Sequence, residues 1–480
     1  MTENLKTTRT SSGPGFLTSI IPILLLLASL VLLIVFKGAS SIGDWSPWVL
    51  LSAAAVSLGL SLKRVLRDAS SLRAGIAESA RQILPAIPIL VFISLLSTTW
   101  MLGGIVPTFI HYGLQVMNPT FFLVTVCAVS SCISVLTGSS WTTIATIGVA
   151  FMGIGEIMGF SSPWIAGAVI SGAYFGDKVS PLSDTTVVAS SSCGVDLFSH
   201  IRFLLFTTVP SMAIALAVFL AEGVFRDTTS ASGGGLDILA SLHSAFRITP
   251  WVLLVPAVTI GMIAMRVKTV VTLAVSSALG AVAMLLFQPQ IPLDAEFFRS
   301  LWSGAEFHTS DERLNALVST SGFLGMLPTI MLVTSAMVFG GVMIGTGMLS
   351  SISKGITARL SGRRSVVGAT VGSGLLLNGF TADQYLSIII GANMYKAVYE
   401  RTGLAPRVLS RTLEDSVSVT SVLIPWNSCG LTQSAVLGVP TLVYLPYCVF
   451  NYLSPVMSFL VSAGIIGVGG RIRRMVRRTA

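Results

Sequence analysis

The stretch Gly172-Ala173-Tyr174-Phe175-Gly176-Asp177-Lys178-Val179-Ser180-Pro181-Leu182-Ser183-Asp184-Thr185-Thr186 decides how the chain reads. An apolar helix is expected to enter it from about Pro163. Pro181 removes a backbone donor and disfavours helical geometry at Ser180, so the helix should unwind there. Unwinding places bare carbonyls beside Asp177 and Asp184 and the hydroxyls of Ser180, Ser183 and Thr185. Hard cations such as Na+ take oxygen ligands, and this is an oxygen-rich pocket. The alternative is a kink in which Asp177 and Lys178 neutralise each other.

The surroundings are membrane-like. Of 480 residues, 53% are apolar and 10% are charged, against about 25% charged in an average soluble domain. Mean hydropathy is +0.84. So few charges cannot coat a soluble body, which excludes a soluble enzyme, a nucleic-acid-binding domain and a disordered chain. Apolar runs lie near 16–36, 46–62, 83–108, 200–221, 250–266, 269–287, 325–349 and 438–463. The first is followed at once by another, so it reads as a spanning helix rather than a cleaved signal peptide. Regions 119–195 and 365–435 are apolar but interrupted by Gly, Pro, Ser, Thr and acids. The five cysteines form no C-x-x-C pair and read as small apolar filler.

Net charge is +9, and the basic residues fall between apolar runs. Clusters at Lys63–Arg81, Lys354–Arg364, Lys396–Arg411 and Arg471–Arg478 point to the cytoplasm, along with both termini. The expected fold is an all-α polytopic membrane protein with ten full spans and two re-entrant hairpins, or with hairpins that cross fully. Its segments would be a tail at 1–15, two leading helices at 16–62 and a first repeat at 63–221 (hairpin 119–158, broken helix 161–195). A connection at 222–322, a second repeat at 323–463 (hairpin 365–395, broken helix 404–435) and a basic tail at 464–480 complete it.

The repeat rests on matches at a nearly fixed offset. Leu84-Pro85-Ala86-Ile87 echoes Leu327-Pro328-Thr329-Ile330, and Gly104 echoes Gly347, both 243 residues apart. Thr137-Gly138 pairs with Asn378-Gly379 at 241, Pro163 with Pro406 at 243, and Pro181 with Pro425 at 244. Ser192-Cys193-Gly194 and Ser428-Cys429-Gly430 drift to 236. Basic residues precede the first copy but follow the helix at 325–349, so the copies are expected in opposite orientations. Inverted repeats with paired broken helices mark secondary transporters.

Six acids fall outside tails and connections: Glu156, Asp177, Asp184, Asp383, Glu414 and Asp415. A charge at mid-membrane costs about 2.5–3.5 kcal/mol on insertion scales, so such residues are functional candidates. Glu156, among glycines, also reads as an interfacial turn residue. Pro425 breaks a second helix that carries Arg411, Glu414, Asp415 and Asn427. Arg411 is three and four residues before the two acids, so one of them is a potential ion-pair partner. Polar tips at Thr137-Gly138-Ser139-Ser140-Trp141-Thr142-Thr143 and at Asn378-Gly379-Phe380-Thr381-Ala382-Asp383-Gln384-Tyr385 must meet protein or water. Asp383 also reads as a cap for a helix beginning at Gln384.

All four histidines read as span ends or connections, which leaves a carboxylate as the proton carrier. Burial disfavours the charged form of an acid, so one buried Asp holds either H+ or Na+, and that competition couples the two ions. No G-x-x-x-x-G-K-[ST], T-V-G-Y-G or H-E-x-x-H motif occurs, against an ATPase, a potassium channel and a zinc protease.

The run GAYFGDKVSPLSDTTVVASSSCGVD (172–196) resembles the signature of the NhaC-type Na+/H+ antiporter family. TADQYLS, LSRTLEDS, LIPWNSCG and GVPTLVYLPY, between Thr381 and Asn451, resemble the same family's second half. The resemblance implies a prokaryotic membrane carrier exchanging Na+ for H+, with similar proteins exchanging malate for lactate or moving amino acids. Carried onto matched positions, it points to Asp177, Ser180, Asp184, Thr185, Asp383, Glu414, Asp415 and Asn427. The first tip reads TGSSWTT, with Thr142 where the family is expected to have glycine.

The candidate ion or substrate ligands are therefore Asp177, Ser180, Ser183, Asp184, Thr185, Asp383, Glu414, Asp415, Asn427, Thr137, Ser139, Ser140 and Asn378. Asp177, Asp184 and Asp383 are the expected Na+ ligands. No cofactor and no enzyme activity are expected. The expected partners are the inner-membrane bilayer and Na+, H+ or a small carboxylate, with no nucleic acid and homodimerisation left open. The competing readings are an ion-coupled organic-acid or amino-acid carrier, helped by Lys178 or Arg411, and a channel or scaffold.

Overall fold

Lipid offers backbone groups no hydrogen bonds, so a spanning chain must satisfy them within helices or at well-capped breaks. The computed structural model describes residues 14–37, 42–84, 86–226, 241–265, 267–307, 315, 318–358 and 360–462. Among them there are helices and no strands. Six helices are long and apolar enough to cross a membrane, or up to eight if each of two bent pairs is one span. The leading pair is Phe16–Lys37 and Ile42–Leu60. Both arms of the first hairpin, Pro119–Thr137 and Ser140–Ile157, have spanning length, so length does not separate a re-entrant hairpin from two crossings. The tails at 1–13 and 463–480 and the whole of 227–240 in the connection lie outside the described residues.

Several apolar runs are not single helices. The run at 83–108 bends by 67° between Ile87–Leu102 and Ile105–Val116. Gly104 sits there at φ 73, a left-handed conformation that ends the hydrogen-bond ladder. Gly347, also at φ 73, divides Leu327–Gly345 from Met348–Thr357. The run at 438–463 resolves into Thr441–Tyr444, a 3-10 turn holding Pro446, and Val449–Ser462.

The two broken regions carry the same backbone features 244 residues apart. Left-handed residues recur at Gly138 and Ala382, Gly159 and Gly403, and Gly194 and Gly438. Side-chain caps recur at Ser139 and Asp383, and at Ser183 and Asn427. The second tip is thus at Thr381–Asp383, three residues beyond the Asn378-Gly379 match, because Arg363–Thr381 stays helical through Asn378. The Cys-Gly match at offset 236 also fails in place: Gly194 follows a helix, whereas Cys429 and Gly430 lie inside Ser428–Leu437.

Buried side-chain hydrogen bonds between distant segments sort into two sets. Within 14–116 and 241–357, Trp100 Nε1 donates to the Ser276 carbonyl (3.3 Å) and Ser57 to Met343 Sδ (3.6 Å). Within 119–225 and 360–462, Ser134 donates to the Ala173 carbonyl (2.6 Å), Asn378 to that of Val417 (2.7 Å) and Asn451 to that of Val419 (2.8 Å). Among the described residues no buried side-chain hydrogen bond joins one set to the other. They meet in shared apolar clusters, Ile110 with Ile154 and Phe339 with Phe380.

Candidate functional site

The first broken helix, Ser162–Val179, ends at Ser180-Pro181-Leu182, and the chain re-enters helix at Asp184–Ser192. Ser180 Oγ fastens the break to the Val135 carbonyl (2.7 Å) of the first hairpin and accepts from Leu182 N (3.2 Å). Ser183 caps the new helix through Thr186 N (3.4 Å) and bonds Thr185 Oγ1 (3.0 Å). The second broken helix runs through Pro406–Leu413, a π-turn at Glu414–Ser418 and a 3-10 turn at Ser421–Leu423 before Ser428–Leu437. π-turns concentrate at functional sites. Asn427 ties this break to the second hairpin, donating to the Asn378 carbonyl (3.0 Å), and Ser428 N donates to that of Ala382 (2.8 Å).

The hairpin tips close on the breaks with matching chemistry. Thr137 Oγ1 accepts from Ser139 N (3.3 Å), and Thr381 Oγ1 accepts from Asp383 N (3.2 Å). Ser139 then caps through Thr142 N (3.2 Å), and Asp383 through Leu386 N (3.0 Å). The expected capping role of Asp383 is therefore met by Oδ1, while Oδ2 accepts from Ser428 Oγ (3.4 Å). Asp177 Oδ2 takes two bonds from Ser140, backbone N at 3.1 Å and Oγ at 2.7 Å.

These pieces surround a cavity of about 290 Å³ whose lining includes Asp177, Asp184 and Asp383. Thr137, Ser139 and Thr185 line it too, as do Trp141, Gln384, Tyr385 and Ser428, which belong to the expected tips and second break but were not among the expected ligands. Gln384 and Tyr385 follow Asp383 directly, and Ser428 lies 244 residues after Asp184, so the tip and the repeat offset were signals for them. Asp177 and Asp383 are buried, whereas Asp184 is exposed in the first turn of its helix. Ile89 and Thr269 of the other hydrogen-bonded set complete the wall, so the cavity lies between the two sets. Among the described residues no Lys or Arg lines it. Among the described residues no three His, Cys, Asp or Glu side chains gather closely enough to hold a metal ion by themselves. A cation here would need hydroxyl, carbonyl or water oxygens as well.

Other candidates lie outside this lining. Glu414, fully buried, accepts from Thr185 Oγ1 at 3.2 Å and so sits one residue behind the cavity wall. Asp415, also fully buried, forms an ion pair with Lys178 and accepts from Ser454 (2.9 Å) and Thr207 (2.9 Å). Arg411 Nε stands 4.0 Å from its second oxygen, so Asp415, not Glu414, is the acid facing Arg411. Lys178 is likewise turned to Asp415 rather than to its neighbour Asp177, because consecutive helical residues face about 100° apart. Asn378 and Asn427 serve as ties between hairpin and break. Glu156 is exposed and accepts from Ser162 at 2.5 Å. His200 departs from the expectation for the histidines: it begins a long helix but is fully buried, bonded to Ser410 Oγ at 2.8 Å.

Fold and site together define a multi-pass α-helical membrane protein with an acidic chamber between two hydrogen-bonded bodies. The profile of the Na+/H+ antiporter family matches residues 14–225 and 172–467, and the chain belongs to that family, in its NhaC-type branch. It is 38% identical over 381 residues (79% of this chain, 82% of the relative) to the Na+/H+ antiporter NhaC of Alkalihalophilus pseudofirmus. It is 33% identical to the malate-2H+/Na+-lactate antiporter of Bacillus subtilis, over 85% of each chain. It is 34% identical to the arginine/ornithine antiporter ArcD of Halobacterium salinarum, over 81% of this chain and 80% of the relative.

Proposed function

We propose that the chain is a secondary active transporter that exchanges Na+ for H+ across the cytoplasmic membrane, with both termini inside. Asp177, Asp184 and Asp383 handle the cation in a chamber near the midplane, and two oppositely oriented halves each contribute a hairpin tip and a helix break. One observation carries this reading: carboxylates from both broken regions line one cavity, and among the described residues no cationic side chain lies in its wall. Such a wall attracts Na+ and H+ and repels an anion. A carboxylate stripped of water favours binding a cation or a proton over standing bare, which makes the ions compete. Alternating access is supported by the two hydrogen-bonded sets, because sliding one past the other breaks apolar contacts and no buried side-chain hydrogen bond among the described residues. The test is a vesicle assay with a pH dye. Na+ or Li+ is expected to release protons at some pH between about 6 and 9, because the two ions compete for the same carboxylate. A flat response throughout would sink the proposal.

A second reading, an ion-coupled carrier of organic or amino acids, draws on cavity size and on the relatives' names. About 290 Å³ holds far more than one ion, given roughly 30 Å³ per water. The chamber also receives the first turns of helices starting at Ser140, Asp184, Gln384 and Ser428, whose N-termini favour anions. Two of those ends are already taken, by Asp177 at Ser140 N and by Asp383 at its own helix. Lys178 and Arg411 face Asp415 instead of the chamber. Uptake of labelled malate, lactate, arginine or ornithine decides it, and the absence of solute-dependent flux removes it.

A further inference from the structure

Lys178 lies outside the chamber, touches no candidate ligand there, and is nonetheless buried at 1% exposure. Its ammonium donates to Asp415 on the second broken helix and to Ser454 Oγ (2.8 Å) on the last described helix. Its backbone carbonyl accepts from Thr186 Oγ1 (3.2 Å), across the Pro181 break. Its neighbour Asp177 faces the other way, into the chamber and onto Ser140. These residues occupy the last turn of Ser162–Val179, where the helix has lost its onward ladder. A helix end of this kind frays unless something holds it, and the Asp177 carboxylate would move with it.

We infer that Lys178 is a positioning residue for the cation site: its pair with Asp415 fixes the frayed turn, and so the Asp177 carboxylate, against the second broken helix. The inference rests on the Na+/H+ reading above. Ligand geometry within about half an ångström is what separates a tight ion site from a loose one, and it depends on such supporting bonds. Asp415 is suited to the anchor because Thr207 and Ser454 orient its two oxygens and Arg411 stands by as a second cation. That reserve cation also makes the experiment practicable. Removing the Lys178 ammonium leaves Asp415 with Arg411 and two hydroxyls, so the remaining buried charge is not stranded.

The experiment measures Na+-driven proton release by purified full-length protein in liposomes, for wild type, K178M and K178R, with gel filtration as the folding control. K178M is expected to raise the KM for Na+ about tenfold with Vmax within about twofold, and K178R to restore most of it, since a positioning loss weakens binding more than turnover. A folded K178M with wild-type KM overturns the inference, and so does a loss of Vmax at unchanged KM. If K178M does not give monodisperse protein, S454A decides. It removes the second Lys178 bond and the Ser454 bond to Asp415, weakening the anchor from both sides with every charge kept, and is expected to raise KM about threefold; an unchanged KM overturns the inference. Wild type that releases no protons on Na+ addition overturns the antiporter reading instead, so the two failures are distinct.

Discussion

Asp177 and Ser421 hold the same place on the two broken helices, 244 residues apart, and each is bonded to the residue that opens the helix after its own hairpin tip. Ser140 Oγ donates to Asp177 at 2.7 Å, and Ser421 Oγ donates to Gln384 Oε1 at 3.3 Å, with Ser140 and Gln384 again 244 apart. The left-handed turns and caps recur, but the charge does not. One region puts the buried acid that lines the chamber on the break, and the other puts it on the tip, where Asp383 stands in the place of Ser139. The chamber thereby gains two buried carboxylates from different elements.

That asymmetry orders the carboxylate variants. D177N and D383N each remove a buried acid from the chamber wall and are expected to cut Na+-driven proton release at least about tenfold, because a buried acid is costly to keep and those lining the chamber are the proposed cation ligands. D184N should cost less, since Asp184 is exposed at the chamber's edge and water can replace it. Everted vesicles with a pH dye measure all three. Equal activity of D177N and wild type would remove Asp177 from the site.

Ser140 offers a graded test of the same bond. S140A deletes the 2.7 Å hydroxyl contact and keeps the 3.1 Å backbone one. A hydrogen bond to a charged group is worth about 1.5–3 kcal/mol, so the KM for Na+ should rise about tenfold or more. Initial rates across a Na+ series check this.

The two tips make opposite predictions for one methyl group. Ala382 carries φ 56, a left-handed conformation that costs a non-glycine residue about 1–2 kcal/mol. Its counterpart Gly138 has φ 66 and lies against Leu182, whose carbonyl carbon would stand 2.6 Å from an added Cβ. A382G should therefore be neutral or stabilising by up to about 1 kcal/mol, after the added backbone entropy of glycine. G138A should destabilise clearly, with strain and a backbone clash together. Thermal melts in detergent measure both, and a stabilised G138A would contradict this account of the tip.

What the sequence revealed here follows from which features are local. The Pro181 and Pro425 breaks and the capping by Asp383 depend on residues a few positions apart, and they stand where expected. The three proposed Na+ ligands line one cavity because broken helices and tips pack together. Two kinds of feature were hidden. Left-handed glycines at 104 and 347 bend runs that hydropathy counts as continuous, because hydropathy carries no dihedral information. The partner of Lys178 is 237 residues away, whereas local reading offered its neighbour Asp177; the local partner expected for Arg411 is found, in Asp415. The repeat match at Asn378-Gly379 falls three residues short of the left-handed turn, because a polar Asn-Gly pair looks like a turn, whereas Asn378 spends its polarity inside a helix on Val417.

Asp68 gives a pH signature unrelated to transport. It is exposed and caps Ala69–Ile83, accepting from the hydroxyls of Ser70 and Ser71 and from their amides at 3.1 and 3.3 Å. The Ser70 hydroxyl first, then that of Ser71, holds its carboxyl at about 2, below the ordinary 3.8. A value lowered by folding means the cap is complete above the ordinary value and is lost as pH falls from about 4 to about 2. Hydrogen exchange at Ser70 and Ser71 should be slower in wild type than in D68A at about pH 5, with the difference vanishing toward pH 2. Exchange-matched mass spectrometry checks it.

The division into two bodies is open to direct chemical test. Gly113, in 14–116, packs against Ile154, in 119–225, across the apolar boundary. A bridged pair made by Gly113→Cys and Ile154→Cys ties the bodies together, and alternating access by sliding then has nowhere to go. Exchange should fall at least about tenfold on oxidation and return on reduction, because hinge or shear motion requires the boundary to be free. The control is a tie within one body: native Cys127 lies 3.7 Å from the Met212 sulfur, so Met212→Cys offers a bridge that leaves the boundary untouched. That variant should keep most of its activity when oxidised. If the cross-boundary bridge forms fully and exchange continues, the two sets do not move against each other at this contact, and the chamber must open by bending within one of them.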